Sequence, residues 1–149
     1  TTGLRIGEAL ALTEADLDRE KRTVSVSKNL ISIGAKQYLQ STPKSDKSIR
    51  TVPVPQSTLD KLKLPFVVKQ SAINAYCHNL PLSFSVSPHI LRHTYATRLE
   101  ESGISPKLKQ YLMGHSSLQM TQNVYTDIQE DFISSQASNI ERIFDTKNS

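Results

Sequence analysis

The feature that most constrains the fold is a change of hydrophobic pattern at Pro55. Before it, residues 23–27 alternate strictly between polar and apolar side chains, which indicates a half-buried strand. After it, apolar residues recur at helical spacing, and prolines or glycines separate the successive segments. The chain is therefore predicted to be α+β and mainly α, a helical domain with a small three-stranded antiparallel sheet.

Turn and capping residues divide this pattern into elements. Strands are predicted at residues 23–27, 37–42 and 49–54, the last two joined by a polar turn at 43–47. Helices are predicted at residues 5–12, 57–63, 68–79, 89–102, 106–113, 118–124 and 130–144. The expected N-caps are Thr2 or Gly3 for the first helix, and Ser87, Ser105 and Ser116 for later ones.

Length and composition limit the kind of protein. The chain has 149 residues, 37% of them hydrophobic and 21% charged, which suits one globular domain over residues 1–149. No apolar run approaches the ~20 residues of a membrane span, and the single cysteine, Cys77, fits a reducing compartment. Because the chain begins without methionine or signal peptide, we expect an excised intracellular domain whose upstream part is missing.

Basic residues are concentrated in the middle of the chain. The net charge is +4, from 18 basic and 14 acidic residues. Between Lys28 and Arg50 there are five basic residues and one acid, whereas from Ser117 onward there are five acids and two bases. The middle segment either faces a polyanion or forms a solvated, exposed hairpin, and charge alone does not separate the two.

The segment around residue 90 concentrates reactive side chains. His89 and Arg92 are three residues apart, so they share a face of the predicted helix. The opposite side is predicted to anchor the helix in the core through Leu91, Tyr95, Ala96 and Leu99. A forked guanidinium matches two phosphate oxygens and an imidazole transfers protons near neutral pH, so the pair suits a phosphate site. Taken alone, the pair is more often a helix-terminal histidine beside a surface ion-pair partner.

Other positions allow the same two interpretations. Arg5 and Glu8 would form an intrahelical ion pair of ~0.5 kcal/mol if they had no further role. His115 follows Gly114, as histidines in caps and turns commonly follow glycine, and Tyr125 would ordinarily be a half-buried core residue. These local interpretations weaken when the positions are considered together in their order along the chain.

Four segments resemble, in the same order, the motifs of the tyrosine recombinase (phage integrase) family. Its first arginine box is similar to TGLRIGE at residues 2–8, and its second box is similar, almost residue for residue, to HILRHTYAT at 89–97. Its third box resembles LMGHSS at 112–117, with Tyr125 at the usual distance. The family's catalytic lysine lies in a hairpin that resembles PKS at 43–45. The resemblance runs from Thr2 to about Asp127.

The resemblance implies a catalytic set made of Arg5, Lys44, His89, Arg92, His115 and Tyr125, with Glu8 at the supporting acidic position. Tyr125 would attack phosphorus and form a 3′-phosphotyrosyl link, while the two arginines clamp the non-bridging oxygens. Lys44 would protonate the leaving 5′ oxygen. His89 would assist proton transfer at the tyrosine, and His115 would hydrogen-bond the phosphate. No cofactor, metal or nucleotide is implied.

Three details extend or depart from the family pattern. The stretch at residues 56–88 is shorter than in many relatives, which puts in doubt how completely this face wraps DNA. Lys44 is preferred to Lys47 as the catalytic lysine because Pro43 precedes it in the hairpin. His93 is predicted to serve helix packing.

The tail is predicted to be an amphipathic helix. Its apolar side contains Phe132, Ile133, Ala137, Ile140, Ile143 and Phe144. The helix either folds back on its own core or docks into a neighbouring protomer, as in the family; we favour docking in trans. The resemblance further implies double-stranded DNA as partner, a homotetramer on DNA, no membrane, a cytoplasmic location in a bacterial host, and an upstream DNA-binding domain that shares in specificity.

The leading interpretation is a site-specific recombinase or integrase. A type IB topoisomerase would use the same chemistry with protomers acting alone, but the integrase-like second box and the small size argue against it. A catalytically inactive DNA-binding module predicts the loss of a catalytic residue, and none of the six positions is lost. A purely structural helical domain would leave the coincidence of arginine, lysine, histidine and tyrosine unexplained.

Overall fold

The structure of the chain, a computed structural model, describes residues 2–34, 36–40, 49–66, 68–114 and 140–142. Its helices are α1 (Ile6–Leu10), α2 (Gln56–Leu59), α3 (Gln70–His78), α4 (Pro88–Glu101) and α5 (Pro106–Met113). Its strands are β1 (Leu17–Asp18), β2 (Thr23–Val26), β3 (Asn29–Ile33), β4 (Lys36–Gln40) and β5 (Arg50–Pro53). The predicted α+β class, mainly α, is confirmed. No helix in these ranges has the length and hydropathy needed to cross a membrane.

β2 is the centre of a three-stranded antiparallel sheet in the order β1-β2-β5. Val24 of β2 is opposite Val52 of β5, and the other edge of β2 pairs with the two residues of β1. The alternation in the sequence of β2 puts Val24 and Val26 in the core and leaves Ser25 exposed. The prediction of one small three-stranded sheet is therefore confirmed.

The membership of this sheet differs from the prediction. Residues 37–40, predicted as one of its strands, lie in β4, which pairs with β3 in a separate hairpin. Ile31 of β3 is opposite Tyr38 of β4, and the hairpin turns at Gly34 with a φ of +60°. β1 takes one edge of β2 because a short turn returns the chain alongside it. Both edges of β2 are then filled, so β4 pairs with its neighbour in sequence.

The helices of the second half follow their capping signals. The hydroxyl oxygens of Ser87 and Ser105 accept hydrogen bonds from the backbone N–H groups of Ile90 (3.3 Å) and Leu108 (3.2 Å). A proline follows each serine in the first turn, where its missing N–H is not needed. α5 has its predicted bounds, and α4 begins and ends one residue earlier than predicted. The signals at Ser87 and Ser105 are confirmed.

The earlier helices are shorter than predicted. α1 has Arg5, not Thr2 or Gly3, at its N-cap position, so that predicted cap is wrong. The cap is made from inside the helix, because the Glu8 carboxylate accepts a hydrogen bond from the Arg5 backbone N–H (2.8 Å). α2 begins one residue earlier than predicted and ends at Leu59 instead of residue 63, and α3 is shorter than predicted at both ends. The predicted helix at 118–124 and the predicted cap at Ser116 lie outside the described residues.

The core lies between the three-stranded sheet and helices α4 and α5. Its main side chains are Val24, Val26, Val52, Tyr95, Leu99, Leu108 and Leu112. On α4 the buried positions are Arg92, Tyr95 and Leu99, a single stripe at helical spacing. The prediction that Leu91 lies with Tyr95 and Leu99 on a core side opposite Arg92 is wrong, since Leu91 is 55% exposed and Arg92 shares the buried stripe. One residue step turns a helix by about 100°, so Leu91 cannot share a narrow stripe with Arg92.

Residues 140–142 are helical and pack on the chain's own core. Ile140 is fully buried there. Glu141 accepts a hydrogen bond from the Gln56 backbone N–H (2.9 Å) and forms an ion pair with Arg22 (3.0 Å). The described partners of these three residues belong to the same chain. Docking of the tail into a neighbouring protomer stays a prediction. The rest of the predicted tail helix lies outside the described residues.

Replacement of Leu99 by alanine should destabilise the fold strongly. Leu99 is fully buried, and a leucine-to-alanine change at such a site costs about 2–5 kcal/mol because it leaves a cavity. Leu91→Ala, on the same helix, is the control and should change the free energy of unfolding by less than about 0.5 kcal/mol. Urea denaturation measures both variants, and equal losses would contradict the buried stripe on α4.

Candidate active site

Arg92 lies on the buried face of α4 and bonds two backbone carbonyls. Its Nη1 donates to the carbonyl oxygen of Gly3 (2.5 Å), and its Nη2 donates to the carbonyl oxygen of Met113. Gly3 belongs to the loop before α1, and Met113 is the last residue of α5. These bonds hold the guanidinium in one orientation between two elements that are distant in sequence.

Arg5 approaches the same place from the start of α1. Its Nη1 pairs with Oε1 of Glu8 (2.9 Å), so the predicted ion pair is present. Its Nη2 donates to the carbonyl oxygen of Gly114 (2.9 Å), which follows α5. The side chain of Arg5 is 47% exposed, whereas Arg92 is buried. Arg5 is therefore the guanidinium of this pair that a ligand reaches more easily from solvent.

Glu8 is a buried carboxylate shared by two arginines. Its Oε1 accepts from Nη1 of Arg5 and from Nη1 of Arg50 (3.1 Å), and its Oε2 accepts from the Arg5 backbone and from Nη2 of Arg50 (2.8 Å). Burial alone would raise the pKa of Glu8. The hydrogen bonds and charge of Arg50, followed by the bonds from Arg5, outweigh burial and hold that pKa below its usual value. The carboxylate is therefore ionised at neutral pH.

Three guanidinium groups meet at the C-terminal end of α5. The carbonyl oxygens of Leu112, Met113 and Gly114 accept from Arg50, Arg92 and Arg5, respectively. The last carbonyls of a helix lack partners within the helix and carry the negative end of its dipole, so cations are stabilised beside them. Three positive charges less the one negative charge of Glu8 leave this arginine cluster at +2.

The crowding of positive charge is visible in the pKa of Arg92. Burial of the guanidinium lowers this pKa most, and the charges of Arg5 and Arg50 lower it further. The charge of Glu8 raises it, and the resulting pKa of Arg92 is about 10. Arg92 remains protonated at neutral pH. An anion placed against Arg5 and Arg92 would relieve this repulsion, so the cluster is built to accept negative charge.

Arg50 was not among the predicted site residues. Arg50 was predicted only as one of the basic residues of a segment that faces a polyanion or solvent, but its side chain is fully buried. A signal was present, because Arg50, Val52 and Val54 alternate along the strand and both valines are core-type residues. An arginine in register with two buried valines points inward and needs an acidic partner. Lys28, from the same basic segment, is likewise paired, with Asp16 (2.7 Å).

The two histidines of α4 lie on its exposed surface. His89 is in the first turn, three residues before Arg92, and its ring meets the ring of His93 edge to face at a centroid distance of 6.4 Å. The prediction that His93 serves helix packing is wrong, since the residue is exposed. Within the described ranges, no three His, Cys, Asp or Glu side chains are grouped so that they could hold a metal ion.

Lys44, His115 and Tyr125 lie outside the described residues, so their positions stay predictions. Two of their neighbours are described. Gly114, directly before His115, is held against Arg5, and Arg50 begins β5 six residues after Lys44. In sequence, His115 therefore directly follows a residue of the arginine cluster, and Lys44 precedes Arg50 of that cluster by six residues. The structure brings together Arg5, Glu8 and Arg92 of the predicted set and adds Arg50.

Replacement of Gly114 by alanine should cost more stability than replacement of Gly103. Both glycines follow a helix with positive φ, +60° and +74°, so each alanine has a similar backbone cost of about 1–2 kcal/mol. A Cβ on Gly114 would lie 2.7 Å from Nη1 of Arg50, which Glu8 holds in place, whereas a Cβ on Gly103 meets nothing within 4 Å. Overpacking adds about 1–3 kcal/mol.

The measurement is again the free energy of unfolding in urea, with Gly103→Ala as the matched control. Losses of the same size in both variants would show that Arg50 moves aside freely and is not held by its bonds.

Comparison with known proteins connects this site to a family. Residues 61–131 match the model of the phage integrase family. The tyrosine recombinase XerC-like protein of Caldanaerobacter subterraneus subsp. tengcongensis is 30% identical over 168 residues, which cover 85% of this chain and 43% of that protein. The transposase of transposon Tn916 from Enterococcus faecalis is 30% identical over 158 residues, covering 83% of this chain and 39% of the transposase.

A solved structure has the same fold. The Tn1549 transposon integrase, in complex with circular intermediate DNA, matches with a TM-score of 0.64 and 29% identity, over 95% of this chain and 56% of that one. The chain spans less than half the length of the curated relatives described above. The family predicted from the four motifs is confirmed, and the chain belongs to the phage integrase family of tyrosine recombinases.

Proposed function

We propose that this chain is the catalytic part of a site-specific DNA recombinase that cuts and rejoins strands through a covalent 3′-phosphotyrosine. The observation that carries the proposal is the pinned pair of guanidinium groups, Arg5 and Arg92, at the end of α5. Family membership supplies the reaction class, and this pair supplies a place for the phosphate.

The two arginines suit a phosphodiester in its transition state. A guanidinium has five N–H donors, and the bonds described for Arg5 and Arg92 use two on each. Donors that the described residues leave unused can bind the non-bridging oxygens. Because the groups are already oriented, little reorganisation is needed when negative charge grows on phosphorus. Each arginine should contribute on the scale of ~3 kcal/mol, as a single oxyanion donor does.

The bond changes involve residues beyond the arginine cluster. The phenolic oxygen of Tyr125 attacks phosphorus, the bond to the 5′ oxygen breaks, and that oxygen takes a proton from Lys44. The phenolic proton passes to a base, for which His89 is the candidate because it is exposed in the first turn of α4, three residues before Arg92. His115 would hydrogen-bond a phosphate oxygen. Since guanidinium groups supply the positive charge, the proposed reaction needs neither metal nor nucleotide.

The proposed partners are double-stranded DNA and further copies of the chain. A similar integrase is solved in complex with DNA, and the +2 charge of the arginine cluster favours a phosphodiester ligand. We further propose a tetramer on paired sites in the bacterial cell, because recombination of two duplexes needs four strand cleavages, one for the tyrosine of each protomer. Residues 140–142 pack on their own chain, so a tail contact in trans would have to use other parts of residues 130–149.

Tyr125→Phe should abolish covalent attachment to DNA and leave non-covalent binding nearly unchanged, because only the phenolic oxygen is lost. The full-length protein is incubated with supercoiled plasmid in EDTA and quenched with SDS, and the adduct is quantified. Tyr76→Phe is the control, since Tyr76 is 70% exposed on α3 and has no proposed role.

Equal adduct yields from wild type and Tyr125→Phe would exclude Tyr125 as nucleophile. Tyrosine-dependent plasmid relaxation without recombination of paired sites would favour the topoisomerase alternative. Binding without any adduct would favour an inactive DNA-binding module.

Lys44→Ala should slow cleavage of ordinary DNA far more than cleavage of DNA with a 5′-bridging sulfur. A thiolate leaves without protonation, so a lost general acid is no longer needed. Cleavage rates on both substrates are compared, with Lys47→Ala as the control. If the sulfur substrate restores cleavage only in the Lys47→Ala variant, the general acid is Lys47. If it restores cleavage in neither variant, another residue is the general acid.

A further inference from the structure

Arg50 is a buried cation with all of its nitrogen atoms engaged. Nη1 and Nη2 donate to the two oxygens of Glu8 (3.1 and 2.8 Å), and Nε donates to the carbonyl oxygen of Leu112 (3.0 Å). The side chain is 0% exposed. A group in this arrangement does not reach a DNA phosphate, so any role in the reaction must act through the residues it contacts.

The first of these contacts leads to Arg5. Oε1 of Glu8 accepts from Nη1 of Arg50 and from Nη1 of Arg5, at 3.1 and 2.9 Å. Oε2 accepts from Nη2 of Arg50 and from the backbone N–H of Arg5. Each carboxylate oxygen thus bridges the two arginines. The plane and position of the carboxylate are set by the forked Arg50, and they in turn set the place of Arg5.

The second contact leads to Arg5 from the opposite direction. Arg50 holds the carbonyl of Leu112, two residues before Gly114, whose own carbonyl accepts from Nη2 of Arg5. Nη1 of Arg50 also lies 2.7 Å from the point where a Cβ of residue 114 would be, so the chain passes directly over it. The two described hydrogen-bond partners of the Arg5 guanidinium are Glu8 and the Gly114 carbonyl. Arg50 therefore helps to hold both of them in place.

We propose that Arg50 is a positioning residue for strand cleavage, which fixes the Arg5 guanidinium against the scissile phosphate through Glu8 and the last turn of α5. This inference rests on the proposed recombinase function. This role differs from a purely structural one. Apolar side chains can often replace a buried ion pair without loss of stability, but they cannot hold the Arg5 guanidinium in its orientation.

Loss of Arg50 has a consequence that depends on pH. Without Arg50, Glu8 stays buried with Arg5 as its remaining described partner, so burial raises the pKa of its carboxyl. Protonation in mild acid then removes the ion pair that orients Arg5. Since the carboxylate form is the one that positions Arg5, the effect of the variant is smaller at high pH and grows as pH falls.

The test compares cleavage by full-length wild type and Arg50→Met between about pH 8 and about pH 5.5, corrected for the folded fraction by circular dichroism. The variant should be slower at every pH, and its deficit should grow toward acid, by up to about tenfold for each pH unit below the raised pKa of Glu8, because the ionised form falls tenfold per unit there. Glu8→Gln combined with Arg50→Met should remove this extra acid dependence, because an amide does not titrate in this range.

Arg22→Met is the matched control. Arg22 also loses an ion pair when replaced, with Glu141 (3.0 Å), but that pair lies away from the arginine cluster. It should reduce stability without changing the pH profile of cleavage. A variant of Arg50 with the wild-type profile and rate per folded molecule would overturn the inference while leaving the proposed function intact. A wild-type protein that forms no adduct would instead overturn the proposed function, and the inference with it.

Arg50→Lys keeps the test decisive if the methionine variant does not fold. A lysine keeps the positive charge beside Glu8 but is a point charge that cannot bridge both carboxylate oxygens and the Leu112 carbonyl. We expect a pH profile close to wild type and a lower rate at every pH. A full wild-type rate in Arg50→Lys would show that charge alone suffices and would overturn positioning by the forked guanidinium.

Discussion

The buried ion pair between Glu8 and Arg50 is the interaction on which the rest of the described site depends. Removing a carboxylate from water is costly unless charged donors replace its hydration, and here two arginines provide them. Because Arg50 belongs to β5 and Glu8 to α1, the pair joins the sheet to the first helix. The bond from Arg50 to Leu112 then connects both to the end of α5.

The proposed phosphate site faces a problem common to anion sites built from arginines. Several guanidinium groups must stand close together before the anion arrives, although they repel one another. Burial is the main cause of the lowered pKa of Arg92, and repulsion by Arg5 and Arg50 lowers it further. Glu8 and the carbonyls at the end of α5 offset this repulsion without occupying the side of Arg5 that faces solvent. The cluster thus keeps a net charge of +2 while its guanidinium groups are held in place, as a preorganised anion site requires.

Much of the fold could be predicted, and the failures have definite physical causes. The caps at Ser87 and Ser105 and the bounds of α5 depend on neighbouring residues only, so a local pattern predicts them. The three-stranded sheet contains β1 where the prediction had the β4 segment. Which segment pairs with the free edge of β2 depends on tertiary structure, and no local pattern encodes it. Leu91 was misplaced because a hydrophobic residue was taken as buried, while the buried stripe of α4 begins at the charged Arg92.

By itself the sequence determined the family, the reaction class that the family implies, and the candidate residues, because those depend on residue types in a fixed order. It did not determine which residues support them. Arg50 looks like any basic residue of a polar segment until β5 is placed against α1 and α5, 42 residues from Glu8 and 62 from Leu112. Only tertiary structure decides such contacts, because a buried charge is stabilised by whatever donors and acceptors the folded chain brings to it, and these are remote in sequence.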